Sequence, residues 1–297
     1  MLTIFAIPKP FRGHFGVIQQ NAIASWAHLD IHPEIILFGD EEGTAEVAQK
    51  FGVTHVPDVK KNEFGTPLIS DIFSQAQQRS KESLICYINA DIILLNDFSR
   101  AVTEVSRLQR AFLMSGQRWD TPITDRLDFD SSTEETLRSL ALRDGVQHPP
   151  TGIDYFVFPR NFIQSMPPFA VGRPSWDNWT LYHVRSSNAM LIDATQVVLA
   201  IHQNHDYSHH PQGEAGVWQG KESQQNFGLT GGVNTIFTLE DATHLLTPAG
   251  IKAAISYSYL RRRIITLGIL IPRLRLFSRV LNKGFNISEQ ILHKQST

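Results

Sequence analysis

Two polar side chains, Asn89 and Asp91, interrupt an apolar run within residues 87–94, whose sequence is YINADIIL. The apolar residues 84–88 that lead into them predict a buried strand. A strand that ends in this way places an amide and a carboxylate at the carboxyl edge of a sheet, where open α/β sheets bind ligands. Hard divalent cations that also bind diphosphates favour such oxygen ligands. A strand followed by an ordinary polar turn is the alternative.

A group of histidines forms the second candidate site. It follows an apolar stretch at 197–201 that predicts another strand. Histidine is a common ligand of manganese and zinc, so three of these side chains could bind zinc by themselves, or one could complete a site begun by Asn89 and Asp91. A polar loop with hydrogen-bonding histidines is the alternative. The group comprises His202, His205, Asp206, His209 and His210.

A carboxylate lies between two indoles in the sequence Trp176-Asp177-Asn178-Trp179. Indole faces can stack on sugar rings, and Asp177 could bind or deprotonate a hydroxyl group. Asp154, a polar residue in the apolar stretch 153–160, is a second candidate base. Two core aromatic residues with a capping aspartate are the alternative.

Other charged residues follow the first two predicted strands. Asp40 could accept hydrogen bonds from a base or a ribose at the sheet edge, or could cap the next helix. Lys9 and Arg12 are cations at the same predicted edge, and either could neutralise a diphosphate.

The segment before the third predicted helix carries further polar residues. Thr66 and Pro67 predict an N-cap followed by proline in the first helical position. Capping does not explain Asn62 and Glu63, which therefore remain candidates for binding a ligand.

The elements that would position these residues alternate between strand and helix over residues 1–115, which predicts a parallel, doubly wound sheet. No Gly-x-Gly-x-x-Gly or P-loop sequence follows any predicted strand, which excludes those phosphate-binding motifs. Further on, the pattern predicts a helix that ends near Arg143 and a polar loop over 211–234. The strands predicted for the first part are 2–7, 34–38, 53–56, 84–88 and 111–115, and the helices are 16–29, 42–50, 67–79 and 97–109.

The composition is that of a globular protein with a sizeable core: 297 residues, 42% hydrophobic and 19% charged. The single cysteine, Cys86, excludes a disulfide framework and indicates a reducing compartment. The N-terminal residues predict a first strand that ends at Pro8, without the features of a signal peptide. No apolar run reaches the length of a membrane span. We therefore expect a cytoplasmic protein.

The net charge of −2 conceals an asymmetry. Residues 1–241 carry 18 basic and 28 acidic residues, whereas residues 242–288 carry eight basic residues and no acidic one. The second segment also contains the apolar stretch 264–271, as an interfacial membrane helix would. A C-terminal helix that packs on the body with a solvated basic face is the alternative. The acidic remainder of the chain argues against nucleic acid as a partner.

Taken together, these residues resemble the nucleotide-diphospho-sugar transferases, the GT-A superfamily of glycosyltransferases. The resemblance covers roughly residues 2–240 and rests mainly on the order of short motifs. Asp40 matches the aspartate that contacts the nucleoside, and Asn89-Ala90-Asp91 matches the metal-binding DxD motif with its first aspartate replaced. Asp177 falls at the place of the acceptor-side carboxylate, and His202 or His205 at that of a late histidine that completes the metal shell.

The resemblance implies an α/β fold, a GT-A-like mostly parallel sheet flanked by helices over 1–240. The charge pattern adds a basic, apolar helical tail over 241–297. It implies transfer of a hexosyl or pentosyl group from a UDP- or GDP-sugar to a hydroxyl acceptor, lipid-linked or part of a glycan. Mn²⁺ or Mg²⁺ would be the cofactor. The tail would bring this cytoplasmic enzyme to the inner face of the membrane.

The same resemblance implies roles for individual residues. Asp177 would be the base toward the acceptor, with Asp154 as the second candidate, and Trp176 and Trp179 would bind the acceptor. The loop 211–234 would close over the donor. The implied metal ligands are Asp91, Asn89, His202 and His205, and the implied donor-binding residues are Pro8, Lys9, Arg12, Asp40, Asn62, Glu63, Asn89 and Asp91.

Two other functions remain open at this point. One is a metal-dependent hydrolase built on the histidine group, with His202, His205 and His209 as zinc ligands. The other is a non-catalytic module that binds a sugar or a nucleotide, because Asn89 leaves the DxD motif incomplete.

Overall fold

The computed structural model of the chain describes residues 1–130, 132–206 and 213–282. The alternation of strands and helices predicted for the first 115 residues is confirmed. The strands are β1 (Leu2–Ala6), β2 (Glu34–Phe38), β3 (Thr54–Val56), β4 (Leu84–Ile88), β5 (Ile92–Ile93), β6 (Phe112–Ser115), β7 (Arg118–Thr121), β8 (Val146–Gln147), β9 (Tyr155–Pro159), β10 (Met190–Asp193), β11 (Ala200–Gln203), β12 (His244–Thr247) and β13 (Gly250–Ala253). The α-helices are α1 (Gly13–Ala27), α2 (Thr44–Phe51), α3 (Ile69–Arg79), α4 (Asn96–Val105), α5 (Thr133–Asp144), α6 (Trp176–Ser186), α7 (Gly213–Gln219), α8 (Lys221–Thr230) and α9 (Tyr257–Leu270), with 3₁₀ turns at Val233–Thr235, Leu239–Asp241 and Pro272–Leu274.

A nine-stranded mixed sheet forms the centre of the molecule, in the order β13-β12-β10-β6-β9-β4-β1-β2-β3. Most neighbouring strands in it run parallel, which confirms the predicted mostly parallel sheet. Strand β9 is the exception that matters for the site, because it runs antiparallel between β4 and β6. The beginning of β9 therefore lies beside the end of β4.

Helices cover both faces of this sheet, because its central strands are apolar on both sides. On one face, side chains of α1, α2 and α4 pack on the strands around Trp26 and Phe98. On the other face, α3 and α6 pack around Phe73 and Trp176. Cys86 is fully buried in β4. Its position confirms the expectation that it belongs to the core.

A second sheet of four short strands, in the order β5-β11-β7-β8, stands beside the end of β4. In its register His202 of β11 is the neighbour of Ile92 on one side and of Asp120 on the other. This small sheet brings residues that are distant along the chain to the carboxyl end of β4.

Three local predictions differ from the structure. The segment predicted as a loop over 211–234 contains α7 and α8 in its described part. Helix α3 begins two residues after Pro67, and its N-cap position is Leu68, so Thr66 is not the cap. Asp40 does not cap α2, whose N-cap position is Gly43.

The main sheet continues past residue 240, where the sequence predicted the start of a helical tail. Strand β12 pairs with β10, and β13 pairs with β12. Helix α9 then packs on the body, since the guanidinium of Arg262 binds both oxygens of the buried Asp241 carboxylate at 2.8 and 2.9 Å. Arg263 donates to the backbone oxygen of Thr243 at 2.8 Å. Within the described residues no helix combines the length and the apolar character needed to cross a bilayer.

Candidate active site

Asp91 stands in the short connection between β4 and β5, at the carboxyl end of the central sheet. Its backbone oxygen accepts hydrogen bonds from the backbone and the side chain of Gln203 on β11. The Gln203 amide is in turn fixed by Asn21 and by the backbone oxygen of Ile18, both on α1. The backbone at Asp91 is therefore fixed by β11, and α1 supports this contact through Gln203.

The Asp91 carboxylate lies close to the imidazole rings of two histidines. Nε2 of His205 lies 3.1 Å from Oδ2 of Asp91, and the ligand atoms of Asp91, His202 and His205 all lie within 4.8 Å of one another. The other Asp91 oxygen, Oδ1, is buried and has no hydrogen-bond partner among the described residues. One carboxylate and two imidazoles suit manganese or zinc, and the unsatisfied buried oxygen fits a bound cation. Of the other histidines in this group, His209 and His210 lie outside the described residues.

The surroundings of Asp91 favour its ionised form. Burial opposes ionisation, but the hydrogen bond with His205 and the charges of His202 and Lys9 hold the pKa of Asp91 well below its ordinary value. A carboxylate that stays ionised at every physiological pH is what a metal ligand requires.

Lys9 follows β1 and reaches the same place. The Gln19 side chain of α1 binds both the backbone N–H of Lys9 (2.6 Å) and its backbone oxygen (2.9 Å), which fixes the turn. Burial lowers the pKa of Lys9, while the charges of Asp91 and Asp154 oppose that shift. The Lys9 ammonium is thus a half-buried cation beside two carboxylates.

A second carboxylate, Asp154, lies beside Asn89 because β9 is antiparallel to β4. The Asn89 amide donates to Oδ1 of Asp154 at 2.5 Å, and Nη1 of Arg118 lies 3.1 Å from Oδ2. Oδ1 of Asn89 accepts from the Tyr87 hydroxyl at 3.2 Å. The Asn89 side chain therefore bridges Tyr87 and Asp154, and both oxygens of Asp154 are engaged.

A third carboxylate, Asp177, lies in the first turn of α6. Its Oδ1 accepts the backbone N–H of Asn178 at 2.9 Å. Burial raises the pKa of Asp177 to about 6, and the negative charge of Asp154 adds to the shift. A carboxyl group whose pKa lies near neutrality can exchange a proton under physiological conditions.

These residues surround one cleft of about 410 Å³. A polar recess of about 440 Å³, whose lining includes His202, His205 and Asp120, adjoins it. Helix α7 contributes Val217 and Trp218 to the cleft. The charged and polar residues that line the cleft are Lys9, Gln19, Glu41, Thr66, Tyr87, Asn89, Asp91, Arg118, Asp154, Arg173 and Asp177.

An ion pair fastens α8 beside the cleft. Nη2 of Arg173 binds Oε2 of Glu222 at 2.6 Å, and Asn62 donates to Oε1 of Glu222 at 2.8 Å. Gln225 of α8 donates to Glu63 at 3.0 Å. Asn62 and Glu63, predicted to bind the donor, here connect their loop to α8.

The structure brings most of the predicted site residues together. Pro8, Lys9, Asn89, Asp91, Asp154, Trp176 and Asp177 line the cleft, and His202 and His205 line the adjoining recess. Trp176 is largely a core residue, since its ring contacts Tyr87, Phe73 and Phe156 edge-on.

Besides Asn62 and Glu63, three further predicted residues do not line the cleft. Arg12 is exposed and forms an ion pair with Glu42. Asp40 pairs with Lys61 at 2.7 Å, and its neighbour Glu41 lines the cleft instead. Trp179 packs on Phe169 and His183 and does not line the cleft.

Sequence reasoning missed Arg118, Arg173 and Trp218, which all line the cleft. Arg118 begins the short strand β7 and Arg173 lies in an irregular segment. Asp154 and Glu222, the carboxylates with which they pair beside the cleft, are far away along the chain. Trp218 belongs to a helix that the Gly- and Gln-rich sequence did not indicate.

No protein-family model matches the sequence. No curated protein matches it either. The solved structures that match include a mannosyltransferase and a glucosyl-3-phosphoglycerate synthase, each with low sequence identity and a TM-score below 0.5.

A mannosyltransferase from Pyrobaculum calidifontis, solved with GDP-Man and Mn²⁺, is 12% identical with a TM-score of 0.46 over 71% of this chain. This chain spans 59% of that protein's length. Glucosyl-3-phosphoglycerate synthase from Mycobacterium tuberculosis, solved with Mn²⁺, UDP and glucosyl-3-phosphoglycerate, is 13% identical with a TM-score of 0.44, covering 78% of this chain and 81% of its own. TarS from S. aureus, in complex with UDP, is 11% identical with a TM-score of 0.32, covering 44% of this chain and 38% of its own.

Proposed function

We propose that the protein transfers a sugar from a nucleoside-diphosphate sugar to a hydroxyl group of an acceptor. One observation carries this proposal: the cleft and its recess combine a group of possible cation ligands, called the first end here, with a separate carboxylate of raised pKa, called the second end. Asp91, His202 and His205 form the first end together with the ammonium of Lys9. Asp177, with its raised pKa, stands at the second. A nucleotide sugar presents a diphosphate to the first end and its anomeric carbon toward the second.

The first end would stabilise the leaving group. Asp91, His202 and His205 would hold a divalent ion, which when bound neutralises negative charge on the departing diphosphate. Two imidazole ligands favour Mn²⁺ over Mg²⁺, which prefers oxygen. Lys9 supplies a second positive charge from the protein itself, and its burial strengthens the interaction.

The second end would activate the acceptor. As the acceptor oxygen bonds to the anomeric carbon, the bond from that carbon to the phosphate oxygen breaks and its electron pair leaves with the diphosphate. The proton of the acceptor hydroxyl passes to Asp177. Asp154 is less suited to this role, because Asn89 and Arg118 occupy both of its oxygens. This assignment describes a transfer with inversion.

The helices beside the cleft would bind and shield the donor. Val217 and Trp218 of α7 border it, and an indole face can stack on a sugar ring or a base. Excluding water there limits hydrolysis of the donor. The nucleoside contact of Asp40 stays a prediction, and it requires the pair with Lys61 to open.

The last described segment would carry the enzyme to an anionic membrane. Residues 275–282 are helical, and Leu276, Phe277 and Val280 are 76%, 56% and 69% exposed. Arg273, Arg275 and Arg279 lie in the same segment and are also exposed. Exposed apolar side chains flanked by arginines complement a bilayer with negatively charged headgroups. The acceptor would then be a lipid-linked hydroxyl compound.

Vesicle sedimentation tests this part of the proposal. Leu276→Ser with Phe277→Ser should reduce binding to vesicles with 30% phosphatidylglycerol by about 100-fold or more, because two inserted side chains are lost. Val233→Ser, at another exposed apolar residue, is the matched control and should bind as the wild type does. Equal binding by the wild type and the double variant would rule out this surface.

Release of nucleoside diphosphate from a panel of UDP- and GDP-sugars tests the transfer itself. With an acceptor extract, Mn²⁺ should be required, and Asp91→Asn should abolish release. Asp58→Asn, an exposed aspartate, is the matched control and should leave release unchanged. A wild type that releases no nucleoside diphosphate from any donor would contradict the proposal.

The zinc hydrolase shares two ligands with this site but makes a different prediction. It needs His209, and it leaves Asp91 without a role, although Asp91 contacts His205 directly. Stoichiometric zinc that survives Asp91→Ala and disappears with His205→Ala would favour it. Binding of a nucleotide sugar without turnover would favour the non-catalytic module.

A further inference from the structure

Asp120 occupies the middle of the small sheet, next to the proposed metal ligands but not among them. It lies on β7, whose neighbours are β11 on one side and β8 on the other. Its Oδ1 lies 2.9 Å from Nδ1 of His202, and its Oδ2 lies 2.9 Å from Nδ1 of His148. The Asp120 carboxylate is thus hydrogen-bonded to His148, and it contacts His202 at ion-pair distance without the alignment of a hydrogen bond.

We propose that Asp120 is a positioning residue that orients His202 for metal binding, with His148 as its support. The inference rests on the metal site of the proposed function. A carboxylate at Nδ1 leaves Nε2 as the ring nitrogen that is available to an ion. Metal-binding histidines usually have such a partner at the other nitrogen, which fixes the ring and its tautomer.

The backbone holds Asp120 and His202 in place. They are paired neighbours in the parallel register of β7 and β11, so their side chains leave the sheet side by side. His148 is fixed as well, because its backbone N–H donates to the backbone oxygen of Arg118 at 2.9 Å. The contact between Asp120 and His202 is therefore built by the sheet and does not depend on a mobile loop.

Arg118 extends the arrangement to Asp154 in the cleft. Its Nε lies 2.8 Å from Oδ1 of Asp120, and its Nη1 lies 3.1 Å from Oδ2 of Asp154. The guanidinium connects the carboxylate behind the metal ligand with the carboxylate beside Asn89. We therefore expect a change at Asp120 to affect the metal site first and Asp154 second.

Manganese binding without any donor tests the role of Asp120, measured by EPR of free Mn²⁺ during a titration of the full-length protein. Asp120→Asn, which keeps the shape of the side chain, should weaken binding by about 10- to 100-fold. His148→Gln should weaken it by a smaller factor, and it serves as the second variant if Asp120→Asn does not fold. Asp125→Asn, an exposed aspartate a few residues further on, should bind as the wild type does.

Pulsed EPR of the bound ion distinguishes a loss of His202 positioning from a general loss of protein stability. Coupling to imidazole nitrogen should be present in the wild type and reduced in Asp120→Asn toward the level of His202→Ala. Unchanged affinity and unchanged nitrogen coupling in Asp120→Asn would overturn the inference and leave the metal site standing. A wild type that binds no manganese would overturn the metal site of the proposed function and this inference with it.

Discussion

Two half-buried carboxylates that line one cleft have opposite acid–base character. Asp91 is surrounded by His205, His202 and Lys9, and its pKa is held far below the ordinary value despite desolvation. Around Asp177, desolvation and the charge of Asp154 outweigh the charge of Arg118, and the pKa of Asp177 rises to about 6. The difference teaches that the neighbours of a carboxylate, more than its burial, decide whether it can bind a cation or accept a proton.

Among the variants that test this comparison, Asp177→Asn is expected to have the largest effect on activity. Loss of a general base should lower kcat by about 10²- to 10⁴-fold, while the affinity for manganese with donor stays within a factor of about two. Steady-state kinetics and calorimetry measure the two quantities. An Asp177→Asn variant that retains full kcat would remove the base from this end of the cleft.

Lys9→Met should weaken donor binding by about 10- to 100-fold, because a charge-assisted contact to the diphosphate is lost while the apolar stem of the side chain remains. The KM for the nucleotide sugar measures this effect. Lys50→Met, at an exposed lysine on α2, is the matched control. An unchanged KM for Lys9→Met would show that the cation-binding end consists of the metal ligands alone.

The pH dependence should follow Asp177 and not Asp91. Since the raised pKa of about 6 leaves Asp177 protonated in acid, kcat/KM should fall about tenfold for each pH unit below 6 and level off above it. A profile that stays flat down to pH 5 would contradict this assignment.

The stability contributions of the two carboxylates should have opposite signs. Asp177 has a raised pKa, so the stability contributed by its protonated form is lost as pH rises through about 6. Asp91 has a lowered pKa, so its contribution is present above its unfolded-state value and is lost only in strong acid. At pH 7 Asp177→Asn should therefore raise the Tm by roughly 2–4 °C for a gain of about 1 kcal/mol, measured by thermal melting. A lower Tm would show that the ionised form is the one stabilised.

Trp218→Ala is expected to have the smallest effect. The indole is 52% exposed at the border of the cleft, and a stacking contact of this kind contributes about 0.5–1.5 kcal/mol, or a two- to tenfold rise in KM. Phe227→Ala, at an exposed aromatic residue of α8, is the control and should have no effect. Comparing the KM of donor and acceptor would show which of the two the indole contacts.

Much of the fold follows from the sequence where strands are short, apolar and fully buried. Strands β1 to β4 were predicted to within a residue or two, because short apolar segments of this kind are typical of a sheet that is covered on both faces. The antiparallel direction of β9 could not be predicted, since its partners β4 and β6 are distant along the chain. Strand β5 has only two residues, too few to show any period. Helices α7 and α8 are rich in Gly and Gln and lack the apolar stripe that indicates a helix.

In the candidate site, too, local sequence patterns were predictive and contacts between distant segments were not. Asn89, Asp91 and His202 were found because they stand at strand ends, where chemistry is common in such folds. Arg12 and Asp40 stand there too, but Glu42 and Lys61 pair with them outside the cleft. The roles of Arg118 and Asp120 depend on contacts across two sheets, and the spacing of residues along the sequence does not indicate such contacts.

The most direct test measures manganese-dependent donor binding and sugar transfer on the same three proteins: wild type, Asp91→Asn and Asp177→Asn. If the two ends of the cleft have separate tasks, Asp91→Asn loses manganese-dependent binding and transfer together. Asp177→Asn keeps binding and loses transfer. Asp91→Asn with unaltered manganese-dependent binding, or Asp177→Asn with unaltered transfer, would contradict the division of roles.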